Sequence, residues 1–573
     1  MFIKYLKPFL LSALLVIVLT FGQVIAELLL PHYMSRIVNE GIAAGDTAAI
    51  LRLGAMMLGF SLVAIVCAVA SGFFASRAAV GVGRNLRARL FSHVSTYSAA
   101  EYDKIGTASL ITRTTNDVQQ VQFTSFMVLR MMLRGPLMGI GAIIMAVGQD
   151  RQLSVVLLIM LPMAGALIWV VSRKAVPLFR SIQRKLDRLN LVLRENLIGM
   201  RIIRAFGRVR YEKQRFGEAN ADLTRTAVRV NRIMALLNPS MMISMNVLVV
   251  AIIWLASMRI DRGDLSVGGM MAFIQYAMQI FMSLTMLTMM FVMLPRAAAS
   301  AERVEQVLAL HPHITDPTDP VQIAEPRGEV VFDNVTFKYP DAEKPLVTGI
   351  SFRARPGQTV AVIGGTGSGK STLLRLLMRD YDVSGGNITV DGVDIRRMRQ
   401  HDLREMMGYV PQSATLFSGT IVHNIRIGRR DATREEVRHA CAVAQAAEFI
   451  EAMPKGYDSH VAQGGMNLSG GQKQRLAIAR AVVRRPRIYI FDDSFSALDF
   501  RTDAALRAAL KKETTDATTI VVAQRVSSIM DADLILVMER GGVIGAGTHD
   551  QLLETCEVYR EIVLSQLSDG QGR

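Results

Sequence analysis

Long apolar runs give way to short alternating ones about halfway along this chain. In the first three hundred residues, six stretches are almost free of charge: Phe9 to Leu30, Leu53 to Phe74, Met131 to Val147, Leu153 to Val171, Met241 to Met258 and Met270 to Leu294. Each is close to the roughly 20 residues a helix needs to cross a bilayer. The intervening segments "VGRNLRARLFSHV" and "IQRKLDRLNLVLRENLIGMRIIRAF" repeat apolar positions every three or four residues, so the spans are expected to continue as helices beyond the bilayer. Short breaks near Glu101 to Gly106 and Phe206 to Tyr211 combine a glycine, an aromatic and charges. These tips, around Tyr102 and Gly207, are expected to touch a partner domain.

Beyond Arg296 the pattern shortens. "HPHITDPTDPVQIAEPRG", His311 to Gly328, is rich in proline and reads as a linker. After it, β-rich runs ("EVVFDNVTFKY", "TVAVIGG", "NITVDG", "MMGYVPQ", "RIYIFDD", "TTIVVAQ", "LILVME") alternate with helical patterns. That order predicts an α/β domain with a largely parallel core. The expected organisation is a membrane domain over 1–310, a linker over 311–328 and an α/β domain over 329–573.

Composition sharpens this picture. The 573 residues exceed one compact core, and 51% of them are apolar. A formal charge of +16 could suggest nucleic acid, but Lys and Arg crowd into Arg77 to Arg113 and Arg173 to Arg232, while Pro31 to Ile50, Gln149 to Gln152 and Arg259 to Ser266 are nearly balanced. Under the positive-inside rule, both termini and both long loops are cytoplasmic, and no nucleic-acid partner is expected. The first apolar run is too long for a cleaved signal peptide and no small-residue cleavage site follows it. Cys67 falls in a span, and Cys441 and Cys556 in the cytoplasmic part, so neither a disulfide nor a cysteine metal site is expected.

Some polar groups interrupt the spans. Glu27 is either functional or buried against a polar group of a neighbouring helix or the outer interface. Asn246, Gln275 and Gln279 either line a cavity or bond across helices. Met278, Met282, Met286, Met289, Met290 and Met293 suit an adaptable apolar binding wall, or simple packing.

The strongest chemical signal is "GGTGSGKST", comprising Gly364, Gly365, Thr366, Gly367, Ser368, Gly369, Lys370, Ser371 and Thr372. It follows a strand and opens a helix, as a phosphate-binding loop must. Lys370 would reach the β- and γ-phosphates and Ser371 would ligate Mg2+. Asp492, ending the run "RIYIFDD", is the matching carboxylate for that ion. Ser469, Gly470, Gly471 and Gln472 in "LSGGQKQR" begin a second helix suited to an anion. A single bound nucleotide does not need both helix starts.

With these motifs in this order, the chain resembles the ABC transporter ATPases and, over nearly all its residues, an ABC exporter half-transporter with six spans and one nucleotide-binding domain. The resemblance implies ATP and Mg2+ as cofactors and a multi-pass protein of the cytoplasmic membrane. It implies that Tyr339 stacks on adenine and that Gln412 links nucleotide and Mg2+ to the membrane domain. Ser496 to Asp499 would form the loop that crosses to a partner, with Asp499 at its end. Two such domains pair head to tail, so Ser469 to Gln472 would complete the partner's ATP site.

Three positions depart from the family pattern. Asp493 stands where the catalytic Glu is usual, Gln524 where a switch His is usual, and "AQGGMN", Ala462 to Asn467, where an "ERG"-type loop is usual. A carboxylate shortened by a methylene is a poorly placed base, and a glutamine cannot become cationic or carry a proton. Either a homodimer has drifted to two slow sites, or labour is divided within a heterodimer. The chain is similar to the degenerate-site subunit of heterodimeric multidrug-type ABC exporters. That implies export of amphipathic or lipid-like compounds, with a second homologous half-transporter supplying the Glu and His. Lipid flipping, metallophore import and a non-transporting regulatory role use the same scaffold.

Overall fold

The computed structural model describes residues 5–340 and 342–570, excluding the side chains of 160–161, 164, 167–168, 172, 237–238, 288–292 and 567–570. Contacts divide the chain into two units, Met1–Ser95 with Ala108–Ala309, and Thr96–Thr107 with Leu310–Arg573. The helices of the first half are α1 (Leu10–Arg36), α2 (Thr47–Val94), α3 (Ala99–Ile105), α4 (Thr107–Gln149), α5 (Ser154–Ala205), α6 (Val209–Asp261) and α7 (Val267–Ala309). Among the described residues, five helical segments are long and apolar enough to span a membrane: Lys7–Ile42, Thr47–Val94, Thr107–Gln149, Val209–Asp261 and Val267–Leu287. The remaining expected span, Leu153 to Val171, lies in α5, where several of its side chains fall outside the described residues.

Helices α2, α5 and α6 run for 48, 52 and 53 residues. At about 1.5 Å per residue, each is more than twice as long as a hydrocarbon core of about 30 Å is thick. The expected helical extensions are therefore present. Leu10, Leu14, Val18, Phe21 and Ile25 form an exposed stripe along α1, and Leu58, Leu62, Val66 and Val69 form another along α2. Such stripes would be unfavourable in water and suit lipid. The opposite face of α1 buries Val24 and Leu28 with Ala142, Ile252 and Phe273 of α4, α6 and α7. Buried Tyr276 joins this core and donates its hydroxyl to Leu28 O at 3.0 Å.

Glu27 accepts bonds from Gln23 Nε2 at 2.8 Å and from Arg134 Nη2 at 3.0 Å. Its place is thus that of a partnered group on a helix interface. Asn246 lines an apolar groove of about 580 Å³ along α6, while Gln279 Oε1 is buried without a partner among the described residues. Gln275 is half-buried. Met278, Met282 and Met293 are exposed and Met286 is half-buried; the side chains of Met289 and Met290 lie outside the described residues.

In the second unit the strands are β1 (Val330–Phe337), β2 (Val347–Ala354), β3 (Thr359–Gly364), β4 (Gly385–Val390), β5 (Val393–Asp394), β6 (Met407–Val410), β7 (Gly419–Thr420), β8 (His460–Val461), β9 (Ile488–Asp492), β10 (Thr518–Val522), β11 (Leu534–Glu539) and β12 (Gly542–Gly547). The main sheet has the order β12-β11-β3-β10-β9-β6 and is parallel except for β12. Strands β9 and β10 are buried throughout, as sheet centres covered on both faces must be. Alternate residues feed two cores: Ala361, Phe491 and Val521 on one face, Val360, Ile490 and Ile520 on the other. The order β2-β1-β4-β5 forms a second, antiparallel sheet that the sequence pattern did not announce.

Helix α3 belongs to this second unit. Its Ala99 and Ala100 pack on the apolar cluster that contains Phe337 and Tyr381, and Tyr381 donates its hydroxyl to Asp103 at 2.8 Å. Glu101 accepts from Ser98 N at 2.8 Å and from His313 N at 3.1 Å. The tip around Tyr102 therefore has the predicted protein contacts. At the other tip, Phe206 and Tyr211 are exposed and Gly207 takes a φ of 65°.

Candidate nucleotide site

Parallel strands deliver their C-terminal ends to one edge of the sheet, where ligands of α/β folds collect. Because β10 lies between β3 and β9, the segments after these three strands must converge. β3 leads into the glycine loop and then α8 (Lys370–Leu377), β9 ends at Asp492, and β10 is followed by Gln524. The loop can turn this tightly because Gly367 and Gly369 have φ values of 81° and 98°.

A cavity of about 270 Å³ opens at this edge. Its lining unites Lys370, Ser371, Gln412, Asp492, Asp493 and Gln524, with Thr366, Gly367, Gly369 and Thr372 beside them. Gly364, Gly365 and Ser368 shape the loop without lining the cavity. Tyr339 lies just outside it, its hydroxyl 3.3 Å from Thr372 Oγ1 and its ring edge-on to Tyr381 at 5.2 Å. Leu346 and Val522 also line the cavity. No motif marks either one; only the strand neighbourhood brings them there.

Lys370 Nζ donates to Gly364 O and Gly365 O, both at 2.8 Å. Burial pulls its pKa below the usual lysine range, against the opposing charges of Asp493 and Asp492. Burial pushes the Asp492 carboxyl up, opposed by the hydrogen bond from Ser371 Oγ to Oδ1 at 2.9 Å and reinforced by the charge of Asp493. A hydroxyl beside a carboxylate is the hard-oxygen donor set that suits Mg2+. Ser371 and Asp492 would hold that ion. Gln412 has its amide nitrogen committed to Asp493, so any metal contact falls to its oxygen.

Asp493 has an unusual position. Gln412 Nε2 donates to its Oδ2 at 3.2 Å, and Gln524 Nε2 donates to the same oxygen at 2.9 Å. The residue is only 8% exposed, and its φ of 47° lies in the left-handed region. Two of the three sequence departures, Asp493 and Gln524, 31 residues apart, are thus direct neighbours.

The second anion-suited helix, α9 (Gly470–Arg484), does not line this cavity. Ser469 caps it, accepting from Gln472 N at 3.3 Å, while Gln472 Oε1 accepts from Ser469 N at 2.9 Å. A side chain at Gly471 would approach Ala497 O at 3.2 Å, so the start of α9 lies against the crossing loop. Asp499 ends that loop and caps α10 (Phe500–Glu513), accepting from Thr502 N at 2.9 Å. Ala462 N and His460 O are both bonded to Asn467, which closes the altered loop on itself.

A stability consequence follows from the buried Asp492. Its raised pKa means that keeping it ionised costs stability above that pKa. Asp492→Asn is therefore expected to raise the nucleotide-free melting temperature at pH 8. The gain should shrink as pH falls and the native carboxylate takes up its proton. Calorimetry across pH checks this; an unchanged or lower melting temperature at pH 8 contradicts it. The same variant should lose Mg2+-dependent stabilisation by ATP.

Comparison with known proteins agrees with this architecture. Residues 13–284 match the ABC transporter transmembrane region, and residues 347–496 match the ABC transporter domain. An ABC transporter ATP-binding protein of Mycobacterium tuberculosis is 42% identical over 98% of this chain and 97% of its own length. The ATP-dependent lipid A-core flippase of Chromobacterium violaceum is 31% identical over 99% of this chain and 96% of its own. A bacterial Atm1-family ABC exporter solved with ATP bound superposes with a TM-score of 0.79 at 27% identity, covering 98% of both chains. Matched from end to end in both sequence and fold, this chain belongs to the ABC transporter family, as an ATP-driven exporter with its membrane and ATPase domains fused in one polypeptide.

Proposed function

We propose that this chain is the slowly hydrolysing half of a heterodimeric exporter of amphipathic or lipid-like compounds in the cytoplasmic membrane. The observation that carries the proposal is the convergence of Gln412 and Gln524 on one oxygen of Asp493. Two amides stabilise the carboxylate as an acceptor, while neither can take up a proton from the water that a base must activate. The phosphate loop, Asp492 and the capped start of α9 keep their expected chemistry. Nucleotide binding and help to a partner are thus retained where hydrolysis is weakened.

In this reading, Lys370 and the loop N–H groups hold the phosphates of ATP, Tyr339 packs on its base, and Ser371 with Asp492 holds Mg2+. Ser469 to Gln472 face the partner's ATP. The partner is a second half-transporter carrying a Glu and a His at the two altered positions. The flippase relative supports a lipid-like substrate class.

The test is ATP turnover of the purified chain alone and with its partner in lipid vesicles. Alone, it is expected to be at least about tenfold slower, given the sensitivity of base catalysis to placement. Equal rates would show that the chain needs no faster half. Transport of a fluorescent lipid by the pair then decides between an exporter and a non-transporting regulator.

A further inference from the structure

The backbone on either side of Arg525 is held by one side chain of another helix. Helix α11 (Glu557–Gly570) brings Gln566 to this segment. Gln566 Nε2 donates to Gln524 O at 2.8 Å, and its Oε1 accepts from Val526 N at 2.8 Å. An amide side chain can do both because it carries a donor and an acceptor in one plane, whereas a carboxylate only accepts and an ammonium only donates.

The helix pattern accounts for this placement. Tyr559, Ile562, Val563 and Gln566 recur at three- and four-residue spacings and so share one face of α11. Tyr559 is fully buried, its hydroxyl 2.7 Å from His549 Nδ1, and Ile562 and Val563 pack on the apolar cluster that contains Val526 and Ile529. The next position on that face meets backbone, and there the residue is a glutamine. Gln566 is half-buried, so its two bonds add little to stability. Their geometric effect reaches further. Gln524 Nε2 lies 2.9 Å from Asp493 Oδ2, and the main chain that carries this side chain is the one Gln566 grips.

We infer that Gln566 is a positioning residue: it sets the backbone from which Gln524 meets Asp493, and through it α11 acts on hydrolysis at this chain's own nucleotide site. The inference rests on the switch role proposed for Gln524. Phosphate and Mg2+ are left to Lys370, Ser371 and Asp492, so loss of the grip alters turnover and spares ATP affinity.

Steady-state ATPase kinetics of the full chain in lipid nanodiscs test this. Gln566→Met keeps length and packing but loses both bonds; kcat should fall roughly three- to tenfold with KM for ATP unchanged. Gln566→Glu still accepts from Val526 N but sets a carboxylate against Gln524 O, and should lower kcat at least as far. Leu564→Ala, at an exposed position in the same turn of α11, should leave kcat unchanged. Gln524→Ala should slow turnover to a similar extent, and adding Gln566→Met to it should change kcat by less than about twofold, as expected of residues that act in series. A raised KM, native kcat in Gln566→Met or Gln566→Glu beside a slowed Gln524→Ala, or a loss that persists in full in the Gln524→Ala background would each overturn the inference alone. Native kcat in Gln524→Ala would instead remove the switch role, and the inference would fall with it.

Discussion

Ser469→Arg is expected to lower ATP turnover of the assembled transporter by about 100-fold, whereas Asp493→Asn should change it by less than about twofold. In a single-site enzyme the ranking would be reversed, because the residue beside the Mg2+ carboxylate would matter most. On the proposed reading the two side chains serve different ATP molecules. Ser469 holds the first turn of α9 through its reciprocal bonds with Gln472. Arginine removes the cap, worth about 1 kcal/mol, and places bulk where, in the proposed arrangement, the partner's phosphates would approach the helix N-terminus. On the same reading Asp493 contributes only to the slower site. Steady-state ATPase assays of the two complexes decide; a larger loss from Asp493→Asn would move the working site onto this chain.

The second large effect concerns restoration. Asp493→Glu together with Gln524→His is expected to raise turnover at this chain's own site by at least about tenfold. Each replacement alone should change it by less than about threefold. A glutamate beside Gln524 still lacks a neighbour able to become cationic, and a histidine beside Asp493 still faces a short carboxylate. Since Gln524 Nε2 lies 2.9 Å from Asp493 Oδ2, the pair should behave as a unit with coupling of about 1 kcal/mol or more. The measurement uses a partner whose catalytic Glu is replaced by Gln, so that only this site reports. Additive single effects would dissolve the pairing. An unresponsive double variant would assign the block to the partner's half of the site.

What could be read from the chain follows a physical divide. The phosphate loop was legible because its chemistry depends on consecutive backbone groups, and the glycines at 367 and 369 advertise the required φ values. Strands β3, β9 and β10 were legible as continuous apolar runs because both sheet faces are covered. Strands β2 and β12 were not, since Gly349, Gly545 and Gly547 dilute their apolar signal and both lie at sheet edges. The contact of the Tyr102 tip with a folded domain was anticipated, but its anchor, Tyr381 to Asp103, links positions 278 apart and carries no local signature. Likewise, the motifs marked Gln412, Asp493 and Gln524 separately, yet only the β10-β9-β6 order places two amides on one carboxylate oxygen.

The left-handed backbone at Asp493 gives that position a conformational constraint as well as a chemical one. Aspartate tolerates a φ near 47° better than longer side chains do, by roughly 1 kcal/mol, because its short carboxyl can bond locally. A mutation from Glu to Asp would therefore relax the turn even as it slowed the chemistry. A glutamate placed at 493 would have to bear that conformational cost, and its gain in rate would be small until position 524 also changed. The turn and the hydrogen bond thus tie the two positions together, so that a change at either one alone gains little.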